Sequence, residues 1–329
     1  MTDRQGKARK GLVVRSAEAI AVGQTSSRRI LDRMAGDIID QSKARATHLS
    51  ADLIRQWADL LELDPDLVPG RLASLEQLNC NHHQLIELDI PSVPALEKLT
   101  CSGNRLKRLT IESAPVLESL SCNFNELVEL DLSAVPALRL LFCFRNRLER
   151  LDLSSAPQIK RLFCYANRLT ELDLGHSPHL TRLHCGGNRL TTLDLAATDA
   201  LRQLSCDDNA LAELVLDPVP DLTWLTCASN RLTDLDLRPV GELTHLACGF
   251  NRLRFLDTSR VPRLSVLSCE SNHLDSIDLS SLSGLRKLNC TDNPLRELDL
   301  APVPYLEELS CDAEVRVINA PESLAMVKH

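Results

Sequence analysis

The chain of 329 residues carries 37 Lys+Arg against 45 Asp+Glu, a formal charge of −8 at pH 7, and only ten aromatic side chains. That balance argues against a general nucleic-acid or membrane-surface binder, and no apolar run approaches the roughly 20 residues that cross a bilayer. Twelve Cys fall well short of the roughly 8–10% of a disulfide scaffold. The expectation is therefore a cytoplasmic protein with reduced thiols.

Residues 1–50 hold ten Lys+Arg and five Asp+Glu, and 1–26 read as a disordered basic tail, either a solvated end or an address. The apolar stretch within it is broken by Arg15 and Glu18, which spoils it as the core of a secretory signal. From 27 to 74 the pattern turns helical. Ile30, Leu31, Met34, Ile38 and Ile39 recur at helical spacing, and Ser50 can cap a second run through Leu53, Ile54, Trp57, Leu60 and Leu61 before Pro65. Residues 27–74 are thus expected to form a helical N-terminal cap.

From Leu75 the chain repeats itself. Cys occurs at 80, 101, 122, 143, 164, 185, 206, 227, 248, 269, 290 and 311, always 21 residues apart and nowhere else. Each repeat reads L-x-x-L-x-C-x-x-N-x-L-x-x-L-D-L-x-x-x-P-x, as in Leu180-Thr-Arg-Leu-His-Cys-Gly-Gly-Asn-Arg-Leu190. This is the leucine-rich-repeat pattern, with Cys at the third Leu position. The fourth and sixth positions share one side of a short strand and must face the core. One unit cannot bury that side alone, so neighbours stack into a parallel sheet.

The Asn at the ninth position, Asn104 to Asn293, is expected to form an inward ladder bonded to backbone groups at a turn. The trailing L-x-x-L-D-L is too short for a helix, and Pro near the repeat's end (Pro94 to Pro304) favours an extended or 3₁₀ convex side. Twelve repeats are expected over 75–318, the last degraded, with a C-terminal tail at 319–329. Val315, Val317 and Ile318 suggest a terminal strand, and a thinly covered edge there invites a homodimer.

These units resemble the 21-residue bacterial leucine-rich repeats of the internalin, cysteine-ladder type, over roughly 75 to 313. The resemblance implies a leucine-rich-repeat solenoid with its parallel sheet on a concave face, and a recognition module rather than an enzyme. A weaker resemblance is to the leucine-rich-repeat effectors of bacterial pathogens, which implies delivery to a host cell by a non-Sec route as the alternative location. The chain departs from the surface proteins in lacking a signal peptide and a wall-anchoring region, and from the ubiquitin-ligase effectors in having no room after the repeats for a catalytic domain.

The third, fifth, seventh and eighth positions point away from the core. Seven of the ten aromatics fall there: Phe124, Phe142, Phe144, Phe163, Tyr165, Trp224 and Phe250. Exposed rings gathered on one face mark a binding surface. Stacking should align Phe142–Phe163–His184, set Phe144 beside Tyr165, and run Leu140–Arg161–Arg182–Gln203–Trp224–His245 along the third positions. With Arg145, these form the candidate partner-binding patch, rich in the rings and guanidinium groups of interface hot spots. Toward the C-terminus Asp207, Asp208, Glu270, Asp292, Glu308 and Asp312 make the same face acidic.

Other chemistry is not expected. A linear row of inward thiols does not converge as a zinc site must. The Asp row of L-D-L, Asp89 to Asp299, lacks the oxygens calcium wants, and reads as a solvated ladder with tenth-position Arg residues offsetting its repulsion. No phosphate loop or hydrolase motif occurs. Hence no enzyme, no cofactor and no metal are expected. The expected partner is a protein or peptide. Single-stranded nucleic acid on the same ring and Arg platform is the alternative, with the net charge against it.

Overall fold

The computed structural model describes residues 68–329, and the chain divides after Ser74. Of the first part the described element is one short helix, α1 (Val68–Ala73). The expected basic tail and the apolar residues of the expected helical cap, Ile30 to Leu61, lie outside the described residues.

The second part is a parallel solenoid of twelve turns. The fourth-position Leu centres a three- or four-residue strand in every turn: β1 (Gln77–Asn79), β3 (Lys98–Thr100), β5 (Ser119–Ser121), β6 (Leu140–Phe142), β7 (Arg161–Phe163), β8 (Arg182–His184), β9 (Gln203–Ser205), β10 (Trp224–Thr226), β11 (His245–Ala247), β12 (Val266–Ser268), β13 (Lys287–Asn289) and β15 (Glu308–Cys311). They pair in chain order, each residue opposite the one 21 positions on, as Leu141 with Leu162 and Leu162 with Leu183. One uninterrupted sheet results.

A thirteenth strand, β17 (Ala325–Lys328), pairs with β15 and ends the sheet. The segment expected as a tail therefore contributes the sheet's last strand. The terminal strand expected around Val317 also forms, as β16 (Arg316–Ile318), but it pairs with β14 (Glu297–Asp299) on the opposite side of the solenoid. A matching pair, β2 (Glu87–Ser92) with β4 (Arg108–Ser113), opens that side. Between these pairs the back of each repeat is extended and closes through tight i to i+3 turns, such as Ala156 N–H to Leu153 C=O at 2.9 Å.

Each repeat contributes its Leu residues and its Cys to a single core. Leu141, Cys143, Leu148, Leu162, Cys164 and Leu169 have no accessible surface. Burying each Leu contributes about 1.5–3 kcal/mol, and the sum over repeats stabilises an array in which every unit touches only its neighbours.

The Asn ladder closes the turn after each Cys. Asn167 is the pattern: its amide donates to the carbonyls of Cys143 at 3.1 Å and Cys164 at 2.9 Å. Its Oδ1 accepts the N–H of Leu148 at 3.1 Å. Each Asn thus ties its own repeat to the one before it. The same three bonds recur from Asn104 to Asn293.

They sit beside a backbone kink. The eighth position is left-handed in all of repeats 1 to 11, with φ between 51° and 68°, although only Gly103 and Gly187 are glycines. That conformation costs other residues about 1–2 kcal/mol each, and the Asn bonds and an inter-repeat bond hold it. In the latter the eighth N–H donates to the next repeat's seventh carbonyl, as Arg145 to Tyr165 at 3.0 Å.

The Asp row on the back is structural in a more specific way than expected. Asp131, Asp152, Asp173, Asp194, Asp236, Asp257, Asp278 and Asp299 each accept the backbone N–H two residues on, at 2.8–2.9 Å. These hydrogen bonds pull the carboxyls of Asp131, Asp152, Asp257, Asp278 and Asp299 below the ordinary range, and Asp236, which also binds Arg238, down to about 2. Of the tenth-position Arg residues, Arg147 pairs with Glu126 at 3.1 Å rather than with an Asp.

Two stability changes follow. Asn167→Ala leaves the buried Leu148 N–H without a partner, while the Cys143 and Cys164 carbonyls each keep one Asn donor, Asn146 and Asn188; it should lower unfolding stability by about 1–3 kcal/mol in urea titration. Ser177 is buried with no partner for its hydroxyl, at a place where repeats 2 and 4 use Ala114 and Ala156. Ser177→Ala should therefore raise stability by about 1 kcal/mol in the same titration.

Candidate functional site

The outward face of the main sheet is set by strand alternation: with Leu and Cys turned in, the third, fifth and seventh residues turn out. The structure places the ten expected patch residues of the third, fifth and seventh positions on this face, and Phe124, Arg145 and Phe250 at the left-handed eighth position beyond it. In the fifth-position row Phe142 stacks on Phe163 at 4.8 Å and 15°, and Phe163 meets His184 at 4.8 Å and 37°. In the seventh-position row Phe144 stacks on Tyr165 at 4.4 Å and 9°. Phe124, left-handed and half exposed at the eighth position, meets Phe144 edge-on at 5.3 Å, with the Arg145 guanidinium 5.2 Å from its ring centre. Repeats 3 to 6 thus carry one continuous ring surface.

The third-position row runs Leu140, Arg161, Arg182, Gln203, Trp224 and His245 in register. Trp224 stacks on His245 at 4.2 Å and 19°, but Gln203 separates this pair from the ring surface of repeats 3 to 6. Phe250 is exposed at the eighth position of repeat 9, between Ser229 and Ser271, apart from both. The patch is therefore one ring surface, one Trp–His pair and one outlying Phe.

Beside the ring surface lies a groove of about 610 Å³ that residue spacing alone does not reveal. Phe142, Phe163 and His184 flank it with Phe144 and Tyr165, Gly186 and Gly187 form its floor, and Ser205, Asp207 and Asp208 close it. Its cause is compositional: repeat 6 is the one unit with Gly at both the seventh and eighth positions. The two Asn residues beside this notch, Asn188 and Asn209, are half-buried while the other eight in the ladder are buried. A Gly-Gly pair, where every other repeat has a side chain at one or both of these positions, was the signal available in the sequence.

Electrostatics divide the groove. Asp207 accepts from the Thr226 hydroxyl at 2.5 Å and from the Ala228 N–H at 2.9 Å, and burial raises its carboxyl above the usual range. Asp208 is exposed. Burial and the nearby Arg182 charge push His184 below its ordinary value, with Asp207 opposing. Its imidazole is thus neutral at pH 7, one more ring in the row.

The cysteine ladder forms no site. All twelve thiols are free and buried, and desolvation raises Cys80, Cys122, Cys164, Cys248 and Cys290 to about 12. Among the described residues no cluster of His, Cys, Asp or Glu could hold a metal. No described helix is long and apolar enough to cross a membrane. In Ellman titration at pH 8 the native protein should leave the twelve thiols unreacted, and all twelve should react together on unfolding.

No family model matches the chain, and no curated protein matches it. Solved structures do. The functional domain of internalin J from Listeria monocytogenes, which includes a cysteine ladder, aligns with a TM-score of 0.67 at 29% identity, covering 80% of this chain and 69% of that one. YopM, a leucine-rich effector protein from Yersinia pestis, aligns with a TM-score of 0.68 at 23% identity, covering 89% and 86%. A TLR13–ssRNA13 complex aligns with a TM-score of 0.59 at 20% identity, covering 81% of this chain and 45% of that one. At those identities the last two show the fold alone.

Proposed function

We propose that this leucine-rich-repeat solenoid with a cysteine ladder is a non-enzymatic recognition module that binds a protein or peptide through the concave face of repeats 3 to 6. The observation that carries the reading is the ring surface itself. Phe124, Phe142, Phe144, Phe163 and Tyr165 lie on the side of the sheet that the core does not use, where repeat 2 places Thr100, Ser102 and Gly103 and repeat 7 places Ser205, Asp207 and Asp208. Stacked rings on short paired strands are already ordered, so a ligand finds its anchors fixed and little entropy is lost on docking. Arg145, Arg161 and Arg182 at the margin add directional hydrogen bonds.

The same geometry weighs against single-stranded nucleic acid. Such platforms continue into a positively charged groove that follows the phosphates, whereas here the ring surface runs into Asp207 and Asp208. A further step in the reading is a bacterial effector acting on a host protein.

The test compares wild type with Phe142→Ala/Arg161→Glu/Phe163→Ala in affinity capture from the source lysate and from a candidate host lysate. None of the three residues is in the core, so circular dichroism should be unchanged. A protein held by wild type and lost by the variant supports the surface, and a host origin supports the effector step. Identical capture by both forms contradicts the reading.

A further inference from the structure

The groove beside the ring surface has a chemistry of its own. Tyr165 stacks on Phe144 with one face, which leaves its other face turned along the row toward Gly186. The next residues in that direction are Asp207 and, in the adjoining row, Asp208. Two strand spacings separate the ring from these carboxylates, about 9–10 Å. That interval leaves room for one planar group stacked on the ring beside the exposed Asp208 carboxylate, the Asp207 oxygens being engaged by Thr226 and Ala228 of the next repeat.

His184 ends the other stack in the same way, with its free face over Ser205. Neutral at pH 7, it adds a π face and no repelling charge. Of the cations on this surface, Arg161 and Arg182 stand in the third-position row, and Arg145, in the eighth-position row two repeats before Gly187, lies over the Phe124 ring on the far side from the notch.

Resting on the recognition reading above, we infer that the notch over Gly186 and Gly187 is a specificity pocket for a cationic side chain, Arg foremost, on the protein or peptide that docks on the adjoining rings. A ring face favours a cation, and a flat guanidinium satisfies ring and carboxylate together better than an ammonium does. The glycines are essential to this shape. A Cβ at Gly187 would stand 3.3 Å from the Ala166 nitrogen, and one at Gly186 3.0 Å from the Asp207 carbonyl. The preference so created is for a ligand with an apolar or aromatic stretch followed closely by Arg.

Phage-displayed random dodecapeptides selected on the wild-type protein test this directly. The expected winners carry Arg or Lys at a fixed distance from a large apolar residue. A resynthesised winner should lose at least tenfold in affinity when its Arg is replaced by citrulline, which keeps the shape and removes the charge. It should lose as much against Asp208→Lys, and against Gly187→Arg, which fills the notch. Asp208 is exposed, and Asn tolerates its left-handed backbone, so Asp208→Asn provides a folded control with an intermediate loss.

Winners that ignore the citrulline exchange but fail on Phe163→Ala/Tyr165→Ala would overturn the cation pocket and leave the ring surface standing. Winners insensitive to every variant, or no winners at all, would overturn both.

Discussion

The bond set of the ninth-position Asn is the constraint on which the rest of this structure depends. After each Cys the chain leaves the sheet abruptly, through a residue in the left-handed region, and backbone groups on both sides of that kink lie in the interior. Water cannot reach them. One primary amide supplies two donors and an acceptor at the required places, and it spans two repeats, so each turn is also a rivet between neighbours. Asp cannot substitute because it has no donors, and Gln is one methylene too long.

With that framework fixed, the outward positions take no part in the apolar core, and their composition can follow function. Ser, Thr and Asn occupy most of them at the fifth position. Repeats 4 and 5 replace these with Phe, and the rings then fall into register because the 21-residue period sets every side chain beside its counterpart one strand away. A binding surface is thus written by changing only a few residues in adjacent repeats. The paired glycines of repeat 6 act by subtraction, removing side chains from two rows to leave a groove between rings and carboxylates.

Much of this was legible in the sequence because one period governs it. The in-register sheet, the buried Cys row, the Asn ladder and the rows Phe142–Phe163–His184 and Phe144–Tyr165 all follow from counting by 21 and from strand alternation. Three features were not. The left-handed eighth position is occupied by Phe, Arg, Asp and Ser as well as Gly, so no residue preference announces it. The Asp row reads as repelling charge until each carboxylate is seen closing its own turn. Strand β17 breaks the period: Ala325–Lys328 lies 17 residues from its partners rather than 21, and carries neither the Leu nor the Cys that mark the other strands.

The central claim is that the framework carries stability uniformly while the rings are free for recognition, and native-state amide hydrogen exchange tests it most directly. Repeats 4 to 6 and 7 to 9 are equally far from the two ends of the array, and in all six the eleventh-position Leu N–H is held by the next Asn. If the rings are not structural, Leu148, Leu169 and Leu190 should be protected to within about tenfold of Leu211, Leu232 and Leu253, a difference under about 1.4 kcal/mol. Protection more than a hundredfold higher beneath the ring surface would show that the aromatics are cover for the sheet, and would contradict the account.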